Sequence, residues 1–190
     1  MRAMQKSLDD TEDQTMAEQE KTPDIAFEGE QDTMPQAGAI AQYIKDLSAE
    51  NPSAPQVFQW QTPPQLDVSF NLNVDRVSEE LHEVILRIQV KAASDQGAHF
   101  LVDLSYAGLF GLRNVPEEAL APFLLVEAPR LLFPFARQIV AEAVQNLGFP
   151  PVLLDPIDFG AAYMAQLEGA NGGAGDGEQQ LADVEPAGNA

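Results

Sequence analysis

The sequence predicts an α+β fold on three observations: apolar and polar side chains alternate through three successive runs, short connections join those runs, and an apolar period of three and four residues follows them. The first run, Gln65 to Asp75, sets Leu66, Val68, Phe70, Leu72 and Val74 on one side and Asp67, Ser69, Asn71, Asn73 and Asp75 on the other. That is the pattern of a half-buried strand. After the connection Arg76 to Glu80, the second run turns Val84, Leu86, Ile88 and Val90 one way and Glu83, Ile85, Arg87, Gln89 and Lys91 the other. Ser94-Asp95-Gln96-Gly97 reads as a hairpin turn. The third run, His99 to Tyr106, puts Phe100, Val102, Leu104 and Tyr106 toward the core.

Sequential strands joined by short turns pair antiparallel, giving a sheet with one apolar and one polar face. The apolar face needs a cover. From Pro129 onward, Leu132, Phe135, Ala136, Ile139, Val140, Ala143 and Leu147 recur at helical spacing, with Gln138, Glu142 and Gln145 as the wet stripe. Gly148 and Pro150 end this helix, and Pro134 is expected to bend it or delay its regular start. A shorter helix is expected over Asp158 to Leu167, reached through PPVLLDPI. Leu131, Phe133 and Val144 read as lying off the main stripe, and the preceding ALAPFLLVEA is almost wholly apolar. Apolar surface left over by a two-layer core marks an interface or groove, so self-association through this helix is expected.

The chain has 190 residues and a net charge of −20, enough for one ordinary domain with flanking segments. Residues 1–35 hold ten acids against three bases and too few apolar side chains to offset the entropy of ordering, so they are expected to be a disordered acidic extension. Residues 36–168 are the expected domain, and residues 169–190 a flexible acidic tail. A sequence pI near 4.1 without clustered Lys or Arg argues against nucleic acid and anionic membranes as partners. It favours basic ones. The chain has no cysteine, which excludes disulfides and thiolate metal sites and fits a reducing cytoplasm. The first thirty residues lack the apolar stretch of a signal peptide, and no apolar run reads as membrane-spanning, so a cytoplasmic location is expected.

Catalytic chemistry finds no footing. His82 and His99 have no companions at metal-ligand spacing and read as surface residues near strand ends. GANGGAGDG lies in the tail as linker, no Gly-x-Ser-x-Gly elbow exists, and Glu79-Glu80 and Glu117-Glu118 sit beside turns. No cofactor or metal is expected, and a small-molecule hydrolase or isomerase would need a closed polar pocket with a poised acid or base. What remains is a binding surface. Val57-Phe58-Gln59-Trp60 carries the one tryptophan, and Tyr106 to Arg113 extends the third strand through Gly108 and Gly111. Aromatic residues beside such backbone suit a groove for extended peptides, and equally suit a core.

Four segments in order resemble the SecB family. These are Tyr43-Ile-Lys-Asp-Leu-Ser-Ala-Glu50 with Asn51-Pro-Ser-Ala-Pro55 and Val57-Phe58, then Ala107-Gly-Leu-Phe110, then Leu131-Leu-Phe-Pro-Phe-Ala-Arg137, then Gly148 to Phe159. Each is weak alone, and together they cover Tyr43 to Leu167. The resemblance implies a four-stranded antiparallel sheet with two helices packed on one side, assembled as a dimer of dimers that offers apolar grooves to unfolded secretory precursors. It implies Asp46, Glu50, Leu101 and Asp103 as the positions that meet the basic, zinc-binding C-terminal tail of SecA, the zinc belonging to that partner. It also places Phe58, Trp60, Phe110 and Leu112 in the precursor groove. The alternation independently puts Leu101 and Asp103 on the polar face. A relative dedicated to one client, such as an antitoxin, would share this fold and groove.

Overall fold

The sheet is four-stranded and antiparallel, of order β1-β4-β3-β2, and the run with the most regular alternation, Gln65–Arg76, is its edge strand β2. The structure, a computed structural model, describes residues 34–171, and what is expected of residues 1–33 and 172–190 lies outside it. Strand β2 spans Gln65–Arg76, β3 Leu81–Ser94 and β4 Gly97–Arg113, as the three periodic runs predict, with the third prolonged through its glycines. Val84, Leu86, Ile88 and Val90 of β3 and Val102 and Leu104 of β4 are sealed on the apolar face. Each such side chain is worth about 1.5–3 kcal/mol of burial.

The fourth strand, which the resemblance implies without placing, is β1, Gln36–Glu50. It pairs with β4 from Gln36↔Arg113 to Glu50↔Leu101, with two register shifts, at Ala39/Ala41 and Ile44/Asp46. All but two of its fifteen residues are exposed in the protomer. With neither face buried, nothing requires alternation, and no period-two signal marks the segment.

Helix covers the apolar face. It begins earlier than the periodicity predicts: α1, Glu117–Pro122, runs through a π turn, Phe123–Glu127, into α2, Ala128–Asn146. In the π turn the Ala128 N–H reaches Phe123 O. This wider loop accommodates closely spaced prolines, which lack an N–H and crowd the carbonyl four residues back. ALAPFLLVEA is therefore helix, with Leu124 buried and the Phe123 ring edge-on to Phe110 at 5.8 Å. The continuous run Glu117–Asn146 is long and apolar enough, by composition, to cross a bilayer, which corrects the expectation that no segment is. Its buried side chains pack on the sheet. Helix α3, Phe159–Asn171, follows the proline-rich link.

Two expectations about α2 are corrected. Phe133 and Val144 are 5% and 0% exposed, inside the core, whereas Phe135 is 50% exposed. At 3.6 residues per turn, Phe133 and Val144 lie about 50° and about 70° from the centre of the buried face, and Phe135 about 110° from it. Phe133 meets Phe70 at 6.3 Å and Phe159 at 6.1 Å. Leu131 remains outward, as expected, and its outward companion is Phe135.

Gly108 sets the spacing between the layers. A Cβ there would lie 2.8 Å from Leu132 Cδ2 and 2.7 Å from Phe110 Cε2, so a bare backbone is what lets α2 approach the sheet.

Candidate functional site: a polar sheet face and an aromatic platform

On the face of the sheet away from the helices, antiparallel register lines residues into cross-strand rows. One row is Glu50, Leu101, Lys91, Asp67; the next is Ser48, Asp103, Gln89, Ser69; the third is Asp46, Ser105, Arg87, Asn71. The first two rows enclose a shallow cavity of about 350 Å³. Three of the four positions implied for SecA docking, Glu50, Leu101 and Asp103, line it, with Asp67 and Lys91. The fourth, Asp46, stands one row away, in the row of Arg87 with Ser105 between them.

Asp103 is held by its own chain. Arg87 Nε and Nη2 donate to its two oxygens at 2.9 and 2.5 Å, and Gln89 Nε2 donates at 2.8 Å. The Arg87 hydrogen bond holds the Asp103 carboxyl below its ordinary range, against some desolvation, and Asp103 in turn raises the Arg87 guanidinium. A second cluster escaped sequence reasoning altogether. Across β4, where Ala107 stands opposite Tyr43, the Tyr43 hydroxyl and Lys45 Nζ both donate to Glu83, the lysine at 2.5 Å. Lys45 first and Tyr43 second lower the Glu83 carboxyl, and Glu83 pushes the Tyr43 phenol up to about 12. Polar-face alternation located Glu83, but nothing in the sequence pairs it with β1.

The expected groove residues separate into two places. Phe110 and Leu112 are core, buried beneath the helices, which corrects their placement in an open groove. They share the inward parity of β4, and the long helical run covers them. Phe58 is 56% exposed, and Trp60 is partly exposed. Both belong to the segment between β1 and β2, which includes a short 3-10 turn, Gln56–Gln59. Their rings build a platform with His99, Phe100 and Phe149. Phe58 lies 5.7 Å from Phe149, Trp60 4.9 Å edge-on to His99, and Phe100 5.0 Å from Phe149. Gly148, at φ +91°, makes room: a Cβ there would meet the Phe58 ring at 3.0 Å.

Neither histidine is the surface residue expected. His99 occupies the register shift between Ala98 and Phe100, and its ring lies between Trp60 and Phe149 with Nε2 3.0 Å from Ser94 Oγ. His82 faces the core between Arg76 and Phe110, where burial and then Arg76 lower its pKa. Among the described residues no group of three acids or histidines could hold a metal ion.

The family model for preprotein translocase subunit SecB matches residues 30–170. The chain belongs to the SecB family. Among relatives, the protein-export protein SecB of Sphingopyxis alaskensis is 53% identical over 160 residues, 84% of this chain and 90% of that protein. That of Rhizorhabdus wittichii is 49% identical over 175 residues, 92% of this chain and 100% of that protein. A solved SecB-like chaperone of Mycobacterium tuberculosis, in complex with a peptide from an antitoxin, matches with a TM-score of 0.53 at 20% identity, over 64% of this chain and 90% of that one. That likeness is one of fold. As a SecB family member with such relatives, the chain is a protein-export chaperone.

Proposed function

We propose that the protein is a cytoplasmic holdase, a homotetramer built as a dimer of dimers, that keeps unfolded secretory precursors competent for translocation and delivers them to SecA. The observation that carries this reading is the acid-lined cavity with Leu101 in its wall, on the sheet face away from the helices. An apolar side chain in a lining where Glu50, Asp67 and Asp103 outnumber Lys91 suits a basic segment with apolar content, as the zinc-binding tail of SecA is in this family. The aromatic platform of Phe58 and Trp60 is a separate surface, suited to apolar stretches of an extended chain with little sequence choice.

Holding needs no catalysis and no cofactor. A precursor slow to fold exposes apolar segments, and four copies of a weak site give avidity by raising effective concentration. Handover to SecA depends on acids meeting bases, so it weakens with salt while precursor binding persists. A relative dedicated to an antitoxin is the weaker reading, because the likeness to the Mycobacterium tuberculosis chaperone is at 20% identity whereas the export relatives are near 50%.

The test reverses charge on the cavity face. The double variant Asp46→Lys, Asp103→Lys is expected to lose binding to SecA in a pull-down while still delaying, without ATP and at one tetramer per client, the refolding of a slow-folding precursor. Equal loss of both activities would refute the division of surfaces.

A further inference from the structure

The acidic face is less acidic than its sequence. Of the four positions implied for docking, Asp103 already has both oxygens engaged by Arg87, through a two-pronged contact at 2.9 and 2.5 Å. Arg87 also stands in the row of Asp46, separated from it by Ser105, and Asp46 acts on it electrostatically. One guanidinium therefore holds one of the three carboxylates that a basic partner would use and stands in the row of a second. The arrangement is local to the face: Lys45 is committed to Glu83, Lys91 is the cation in the lining of the cavity, and Arg87 reaches that lining through Asp103.

We infer that Arg87 is an internal competitor for the docking face, a built-in cation that the partner's basic segment must displace from Asp103. The inference rests on the docking reading above and adds the residue that sets its strength. The geometry suits that role. The guanidinium fork matches a carboxylate in two parallel hydrogen bonds, which is the contact an incoming arginine would seek. Both partners stay in reach of water, with side chains 50% and 28% exposed, so the pair is weak enough to exchange. A docking face with this device binds its partner reversibly, as a carrier that must leave after delivery requires. It also rejects a lone cation, since only a segment that engages Glu50, Leu101 and Asp46 together compensates for the displaced Arg87.

The experiment measures binding of the zinc-loaded C-terminal tail peptide of SecA to the full chain by calorimetry, at low and at physiological salt, for the wild type, Arg87→Gln and Arg87→Lys. Arg87→Gln is expected to bind roughly three- to five-fold tighter, the span of an exposed ion pair near its upper limit, with a steeper salt dependence. Arg87→Lys, which keeps the charge, is expected to stay within about two-fold of the wild type, by the same scale. Weaker or unchanged binding by Arg87→Gln, or a gain by Arg87→Lys equal to that of Arg87→Gln, overturns the competitor role and leaves the docking reading standing. Binding by neither the wild type nor Arg87→Gln overturns the docking reading and this inference with it. Thermal melting of each variant verifies that the sheet is intact.

Discussion

The Asn51 side-chain amide donates to the backbone carbonyl of Leu147 at 3.1 Å, across ninety-six positions of sequence. Leu147 follows the last turn of α2, where helix carbonyls run out of intrahelical donors. One hydrogen bond thus closes the helix end and fastens the segment that carries Phe58 and Trp60. Asn51→Ala is expected to cost about 1 kcal/mol by losing the bond. Asn51→Asp is expected to cost more, because it sets a carboxylate against a carbonyl at the negative end of the helix dipole. Thermal melting orders the two variants. The one tryptophan reports the segment directly, and Trp60 emission should shift to the red in both.

The two strand glycines separate by what a methyl group would strike. Gly108→Ala would press Cβ against Leu132 and Phe110 at 2.8 and 2.7 Å, and Gly111→Ala would meet only the tip of Ile40 at 3.2 Å. The first variant is expected to lose about 1–3 kcal/mol, as overpacked cores do, and the second less than about 1 kcal/mol. Chemical denaturation of the pair checks the difference, and equal losses would mean that Gly108 does not set the layer spacing.

The Glu83 cluster makes a two-sided pH prediction. A carboxyl whose folded pKa is depressed stabilises the fold above its ordinary value of 4.5, and that contribution fades as pH falls through the lower folded value. A phenol raised to about 12 from 10.0 stabilises the fold below pH 10 and loses that contribution as pH climbs toward 12. Tyr43 should therefore ionise late in an ultraviolet absorbance titration. Glu83→Gln should restore it toward 10.0 and flatten the loss of stability in acid. A late tyrosine that persists in Glu83→Gln contradicts the assignment.

Leu131 and Phe135 leave apolar area on the outer side of α2. Leu131→Asp with Phe135→Asp is expected to break the proposed tetramer into smaller species by sedimentation while far-ultraviolet circular dichroism stays unchanged. Phe133→Asp, which puts a charge in the core, should unfold the subunit instead. A tetramer unaffected by the outer pair would place the interface elsewhere.

Much of this protein was legible in the order of its residues. Strands β2, β3 and β4 announce themselves because one face is buried and the other wet, so a period of two is enforced along each. The position of Leu101 and Asp103 on the polar face follows from the same parity, and the covering helix from its apolar period. The family resemblance implied a fourth strand without placing it and supplied the docking positions, and local pattern could not, since an edge strand exposed on both sides has no period to show.

Tertiary structure decided the rest, for one physical reason. Local periodicity records whether a residue faces in or out, and is silent about which residue of a distant element it meets. That Arg87 holds Asp103, that Glu83 gathers Tyr43 and Lys45 from across a strand, and that Asn51 closes the end of α2 are matters of register and layer spacing. So is the division of the aromatics, with Phe110 under the helices and Phe58 at the surface. Alternation and helical period selected the fold class; contacts between elements far apart in the chain determined which charges and rings a partner can reach.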